Sequence, residues 1–267
     1  AAYDAALAQG ASMVVGPLSK ESVAELGARA DRSIPVLALN RLDAADALPQ
    51  GSSALVQFAL APEDEARDIA NLAFGQGARR ALLIRPQGDW GSKVAQALVE
   101  RWQALGGSIA NSVTYSGRED YSASIKDALG IPASEQRAQA IKEIMGTNVE
   151  FNARRRQDID VIFLLSGNAA EARSLKPLLA FHYAGSVPVY AVSSIYSGFT
   201  DPRDRDLDGI NFVETPWLLG ANAELKNAIA AGNTGTDSYT RLNALGADAF
   251  LVQSQFLQLQ AGPDALF

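Results

Sequence analysis

DVIFLLSGNAAEARSLKPLLAFHYAGSVPVYAVS, residues 160–193, reads as one strand–helix–strand unit. An apolar run over 160–167 closes on Ser166-Gly167, a helical pattern follows from Ala169 to Tyr183, and a second apolar, β-branched run fills 187–193. Apolar runs this short, alternating with helices of roughly ten residues or more, are what a parallel sheet covered on both faces requires. The same rhythm extends in both directions. Upstream, a helical stretch over 3–9 ends at Gly10 and leads into the run Met13 to Val15, followed by IPVLALN (34–40), LVQFAL (55–60), a helix from Glu63 to about Phe74, and RALLIRP (80–86). A long helix opens near Trp90 and runs to Leu105, where Gly106-Gly107 stops it; SIANSVTY (108–115) is the next strand and a helix follows Tyr121. The expected fold is α/β: parallel sheets, doubly wound, with helices on both faces.

Composition narrows the function. The chain has 267 residues, 48% hydrophobic and 20% charged, enough for a substantial core. Single cores stop growing at roughly 250–300 residues, so one large domain or two smaller lobes both fit. A net charge of −7 and an isoelectric point near 4.8 argue against nucleic acid and anionic membrane surfaces as partners. The one basic cluster, Arg154-Arg155-Arg156, precedes Asp158 and Asp160 and reads as a solvated loop. With no cysteine, disulfides, thiol catalysis and thiolate metal sites are excluded. No apolar stretch reaches the roughly 18 residues that span a bilayer, and the opening AAYDAALAQGASMVV has no signal-peptide pattern, so any targeting segment is expected to lie outside these residues.

In sheets of this class ligands collect beyond the carboxyl ends of the strands. The loops that matter are therefore Gly16 to Lys20, Asn40 to Asp43, Pro86 to Gly91, Ser166 to Asn168 and Ser193 to Ser197. Two stretches interrupt the rhythm. EQRAQAIKEIMG (135–146) is a helix-like insert in an unusually long connection from Ile131 to Asp158, read either as an interaction surface or as an excursion with no partner. YSGFTDPRDRDLDGINF (196–212) reads as an ordered loop leading into a strand, GINFVET.

No catalytic pattern accompanies these loops. The single histidine, His182, sits at a helix end with no G-x-S-x-G elbow, and the S-x-x-K and K-T-G pair is absent. Neither a P-loop nor a strand-linked G-x-G-x-x-G occurs, and GNTGTD (232–237) follows no strand, so no cofactor is expected. Asp204, Asp206, Asp208 and Gly209 imitate the opening of a calcium loop, but its twelfth position is Thr215 rather than a bidentate Glu, which favours solvated carboxylates in a turn over a metal site. Glu63, Asp64 and Glu65 follow Pro62 and complement the dipole at a helix start.

The order of elements, with an apolar strand ending in G-P-L-S, then PVLALN, FALAPEDEARDIA and GDWGSKVAQAL, resembles the type I periplasmic binding protein fold, in which two Rossmann-like lobes are joined by hinge crossovers. By that resemblance residues 1–62 and 217–267 form lobe 1 and residues 63–216 form lobe 2. VVGPLSKESVAEL, VLALN, FALAPEDEARDIA, DVIFLLSGNAAEARSLKPLLAFHYAG, PVYAVSSIYSG and DLDGINFVETPWLL look like the LppC/LpoA family, outer-membrane lipoproteins that activate a penicillin-binding peptidoglycan synthase. The resemblance implies an N-terminal helical-repeat domain and a lipidated cysteine outside this chain, a βα unit before Ala1 and further residues after Phe267. It also implies a periplasmic location at the outer membrane.

Candidate cleft residues follow from the same resemblance. Ser19 and Lys20 occupy the place where amino-acid binders grip a carboxylate, and Trp90 that of the aromatic that covers the ligand. Ser193 and Ser194 stand where the acid that holds an amino group is expected, which weakens the case for an amino-acid ligand. Asn40, Arg41, Ser166, Asn168 and Tyr196 complete a polar lining. The expected function is a non-enzymatic activator of a bifunctional synthase; the alternative is a solute-binding or sensor module for a small anionic or cell-wall-derived molecule.

Overall fold

Two parallel sheets organise the residues that the structure, a computed structural model, describes: 1–29, 31–43, 55–146, 150–232 and 240–256. Each belongs to its own unit, one made of residues 1–61 with those from Thr215 on, the other of Pro62–Glu214.

In the first unit β1 (Val14–Val15), β2 (Val36–Ala38) and β3 (Leu55–Gln57) pair in that order, with Val14 opposite Val36 and Val36 opposite Leu55. Side chains alternate across a strand, so β2 feeds two cores. Val36 and Ala38 pack with Tyr3, Val23 and Leu26 from helices α1 (Ala2–Ala8) and α2 (Lys20–Gly27), whereas Leu37 packs with Ala249 of helix α9 (Thr240–Ser254) and with Phe256. Helix α8 (Ala223–Gly232) precedes α9. The Tyr3 hydroxyl accepts the amide hydrogens of Ser33 at 3.0 Å and Ile34 at 3.2 Å, which fixes α1 beside the entry to β2.

The second unit carries the larger sheet. Its strands β4 (Arg80–Pro86), β5 (Ser108–Tyr115), β6 (Val161–Leu164), β7 (Val189–Ala191) and β8 (Ile210–Phe212) run parallel in the order β5-β4-β6-β7-β8. Helices α3 (Pro62–Gly75) and α4 (Asp89–Ala104) cover one face, on a core of Ile69, Leu83, Leu98, Trp102 and Phe163. Helices α5 (Tyr121–Ala128) and α7 (Ala169–Phe181) cover the other, on Leu82, Ile84, Ile125, Ile162, Leu164 and Leu175. Leu82, Leu83 and Ile84 are fully buried and point alternately to the two faces, which is why β4 is apolar from Ala81 to Ile84. Trp102 anchors the first core: its indole N–H donates to the Ser108 carbonyl at 3.0 Å and its ring meets Phe74 and Phe163 edge to face. Gly107 has to be glycine, because a Cβ there would lie 2.3 Å from the Trp102 ring.

Several expectations change in detail. The helix expected to reach Tyr183 ends at Phe181; Tyr183 turns to a φ of 66° and the Ala184 amide returns to the Leu179 carbonyl. Strands expected over 34–40 and 187–193 shrink to three residues each, because their partners offer only that many rungs. The insert is helical from further upstream, as α6 (Ile131–Met145) with Pro132 in its first turn. The basic cluster is a loop, as expected, but only Arg154 of its three arginines is exposed. Arg155 donates to the Tyr183 carbonyl at 2.9 Å, Arg156 donates to the Ala110 carbonyl at 2.9 Å and pairs with Asp158, and the Arg154 amide reaches the Ser134 hydroxyl, so the cluster staples the insert to the unit. GNTGTD falls largely outside the described residues.

His182 caps α7 with only 5% of its surface exposed. Burial lowers its pKa below the usual 6.5, Lys126 pushes the same way, and Glu135 opposes them. The unfolded chain therefore takes up the proton more readily, so this contribution to stability is complete above pH 6.5 and declines as pH falls below it. Urea denaturation at pH 7.5 and pH 5.5 is expected to show a loss of stability on acidification that is smaller in His182→Gln; equal slopes in both proteins would show that His182 does not carry it.

Candidate functional site

The order β5-β4-β6 reverses the direction of winding between β4 and β6, which places the topological switch point of the second unit there. What lies beyond the carboxyl ends of β6 and β7 decides what that edge can do. Leu165 and Ser166 follow β6, both fully buried, and Asn168 then caps α7: its side chain accepts the Glu171 amide at 3.0 Å. Glu171 turns back over the same turn. One carboxylate oxygen accepts the Gly167 amide at 2.9 Å and the Tyr115 hydroxyl at 2.9 Å, while the other accepts the Asn168 side-chain amide at 3.0 Å. A negative charge at a helix N-terminus is favoured by the dipole and here satisfies exposed donors as well. The Tyr115 hydroxyl also reaches the Leu165 carbonyl at 3.1 Å. Burial, with the Glu171 charge beside it, pushes the Tyr115 hydroxyl well above its ordinary pKa of 10.0, so it remains a donor.

The end of β7 is held in the same manner. Ser193 donates its amide hydrogen to one Glu65 oxygen at 2.8 Å and its hydroxyl to the other at 2.9 Å. Ser194 donates its hydroxyl to the Ser166 carbonyl, which joins the two strand ends. The Ser166 hydroxyl is buried and has no hydrogen-bond partner among the described residues. Tyr196 continues the turn, its amide bonded to the Ser193 carbonyl at 3.0 Å and its ring 6.0 Å from Phe212. Trp90 is partly buried against the core beneath α3 and α4.

Of the expected residues, then, Ser166, Asn168, Ser193 and Ser194 stand together, with Tyr196 beside them. Ser19, Lys20, Asn40 and Arg41 belong to the other unit. There Ser19 caps α2 by accepting the Ser22 amide at 3.2 Å, Lys20 pairs with Asp43 at 2.8 Å, and Asn40 donates to the Leu18 carbonyl at 2.7 Å while accepting the Arg41 amide at 2.8 Å. A pocket in that unit is lined by Tyr3, Val14, Val15, Pro17 and Leu26 and by none of those four. It lies along the edge strand β1 and reaches Ser22, whose amide Ser19 caps.

The calcium-loop alternative does not assemble. Asp204 is taken by Arg173, with contacts of 3.0 and 2.6 Å, and Asp206 and Asp208 are exposed. Among the described residues no group of three or more His, Cys, Asp or Glu is placed to hold a metal.

Sequence reading missed the two carboxylates that organise the edge. Glu171 had a signal: Asn168-x-x-Glu171 has the spacing of a capping box. Glu65 had none, because its partner lies 128 positions away. Glu65 does more than complement a helix dipole.

Two units built on doubly wound or parallel sheets place this chain in the class of periplasmic binding protein folds. A putative branched-chain amino acid ABC transporter chain from Chromobacterium violaceum shares the fold, with a TM-score of 0.66 over 98% of this chain and 73% of that one, at 24% identity. The chain belongs to the LppC family, described as LppC putative lipoprotein, which matches residues 1–265. It is 30% identical over 261 residues to the penicillin-binding protein activator LpoA of Klebsiella pneumoniae, covering 95% of this chain and 36% of that protein. It is 32% identical over 267 residues to the same activator of Edwardsiella piscicida, covering 95% and 38%. The chain thus spans under two fifths of the length of these relatives. Among solved structures it resembles the LpoA C-domain of Haemophilus influenzae, a regulator of PBP1A, at 26% identity and a TM-score of 0.72, covering 98% of this chain and 74% of that one.

A shared network makes a measurable claim. Tyr115→Phe is expected to cost about 1.5–3 kcal/mol in urea denaturation, as for a hydrogen bond to a charged group, and its effect should fall by at least about 0.5 kcal/mol when Glu171 is already Gln. Strict additivity would show that the two groups act separately.

Proposed function

We propose that this chain is the carboxyl-terminal part of a non-enzymatic, periplasmic activator of a bifunctional peptidoglycan synthase of the penicillin-binding class. In this reading the complete protein is tethered to the outer membrane by a lipid outside residues 1–267. The observation that carries the reading is the match to the LpoA activators and to the LpoA C-domain over nearly the whole chain. The site supports it in a second way. The polar groups at the carboxyl edge of the second unit, which a carrier would offer to a solute, are largely engaged by the chain's own carboxylates.

Docking raises activity only if the activator binds the active conformation of the synthase more tightly than the inactive one. A preference of about 1 kcal/mol already gives roughly fivefold. Among the described residues no helix is long and apolar enough to cross a membrane, and the acidic surface disfavours contact with anionic lipid, which suits action on a protein partner.

The test measures glycan polymerisation and peptide cross-linking by the purified synthase with and without the full-length protein. A rise of about fivefold or more, with capture of the two proteins on each other, is expected. No stimulation and no capture, together with calorimetry that finds a tightly bound small solute, would replace this reading with that of a solute-binding module.

A further inference from the structure

The Ser193 corner has the chemistry of a carboxylate receptor. One residue supplies two neutral donors, an amide hydrogen and a hydroxyl, to the two oxygens of one carboxylate at 2.8 and 2.9 Å, which is two-point recognition of a planar anion. Ser193 is only 8% exposed, so the contact is made largely away from water, where charge-assisted hydrogen bonds are strong. The corner lies just past the carboxyl end of β7, on the edge where this architecture gathers ligands. Ser194 ties it to the Ser166 carbonyl, and the fully buried Ser166 hydroxyl next to it has no partner among the described residues.

We propose that this corner is a carboxylate-binding site that Glu65 of the same chain occupies as a built-in ligand, closing it to external carboxylates. The class of molecule it takes when Glu65 is withdrawn is a small monocarboxylate. Glu65 lies one helical turn past Pro62, at the start of α3, where the second unit begins. The segment that delivers the carboxylate is thus the one that enters the unit, whereas Ser193 belongs to the turn that follows β7. Glu171 shows the same device at the end of β6, but there the donors include the exposed Gly167 and Asn168 and the carboxylate comes from the same turn. Of these two carboxylates Glu65 is the one that arrives from a distant segment, and a ligand from a distant segment is replaceable without rebuilding the turn that receives it. This inference stands apart from the proposed activator role, since a filled corner and a docking surface are separate properties.

Chemical rescue tests it on the full chain. Glu65→Ala is expected to melt below the wild-type protein and to regain about 2–4 °C in sodium acetate relative to sodium chloride of equal ionic strength. The wild-type protein should show no acetate-specific gain. Neither should Glu65→Gln, whose amide still fills the corner and bonds to Ser193. Adding Ser193→Ala to Glu65→Ala should remove most of the rescue. A folded Glu65→Ala protein that responds equally to acetate and chloride overturns the proposal, as does equal acetate rescue with Ser193→Ala present. Failure of Glu65→Ala to fold even in acetate also overturns it, because the carboxylate would then be a requirement of folding rather than an exchangeable ligand.

Discussion

A parallel sheet leaves every strand end with backbone groups that its neighbours do not satisfy, and in the second unit side-chain carboxylates satisfy them. At the amino edge Asp160 accepts the amide hydrogens of Arg79 at 3.2 Å and Arg80 at 3.0 Å, which starts β4 and β6 level with each other; the Arg80 side chain holds its pKa down. At the carboxyl edge Glu171 gathers the turn after β6, and Glu65 gathers the turn after β7. Between these edges the central strands have little freedom of register, because the buried side chains of β4 and β6 alternate between two cores. The same carboxylates that fix the sheet decide what its functional edge presents.

That edge explains how a fold shared with solute-binding chains can sit in a family of activators. A carrier needs unspent donors that a solute can claim. Here Gly167, Asn168, Tyr115 and Ser193 have already given hydrogens to carboxylates of their own chain. Under the proposed activator role, such a domain would act on the synthase through its surface, with its interior as a rigid support.

Much of this was legible in the sequence. RALLIRP and SIANSVTY proved to be β4 and β5 residue for residue, since each run is bounded by unambiguous breakers or by a polar turn and the two pair from end to end apart from a bulge at Ala110. The strands over 34–40 and 187–193 were read too long because apolar residues continue past the last rung, where packing rather than pairing buries them; Val187 is an example. The anchoring contacts of the arginine loop were not legible, because local charge pattern says nothing about a carbonyl some thirty or more positions away, such as that of Ala110. Glu65 was invisible for the same reason. Ser166, Asn168, Ser193 and Ser194 lie in the turns after β6 and β7, but which loop serines and asparagines are already engaged depends on contacts that only the folded chain makes.

Native-state amide hydrogen exchange at Gly167 and Ser193 in the ligand-free protein tests the central claim most directly. Slow exchange at both amides, unchanged on addition of small carboxylates, is the result this account predicts. Rapid exchange in the free protein, with protection appearing only when a solute is added, would show that the edge is open and waiting for a ligand, and would contradict it.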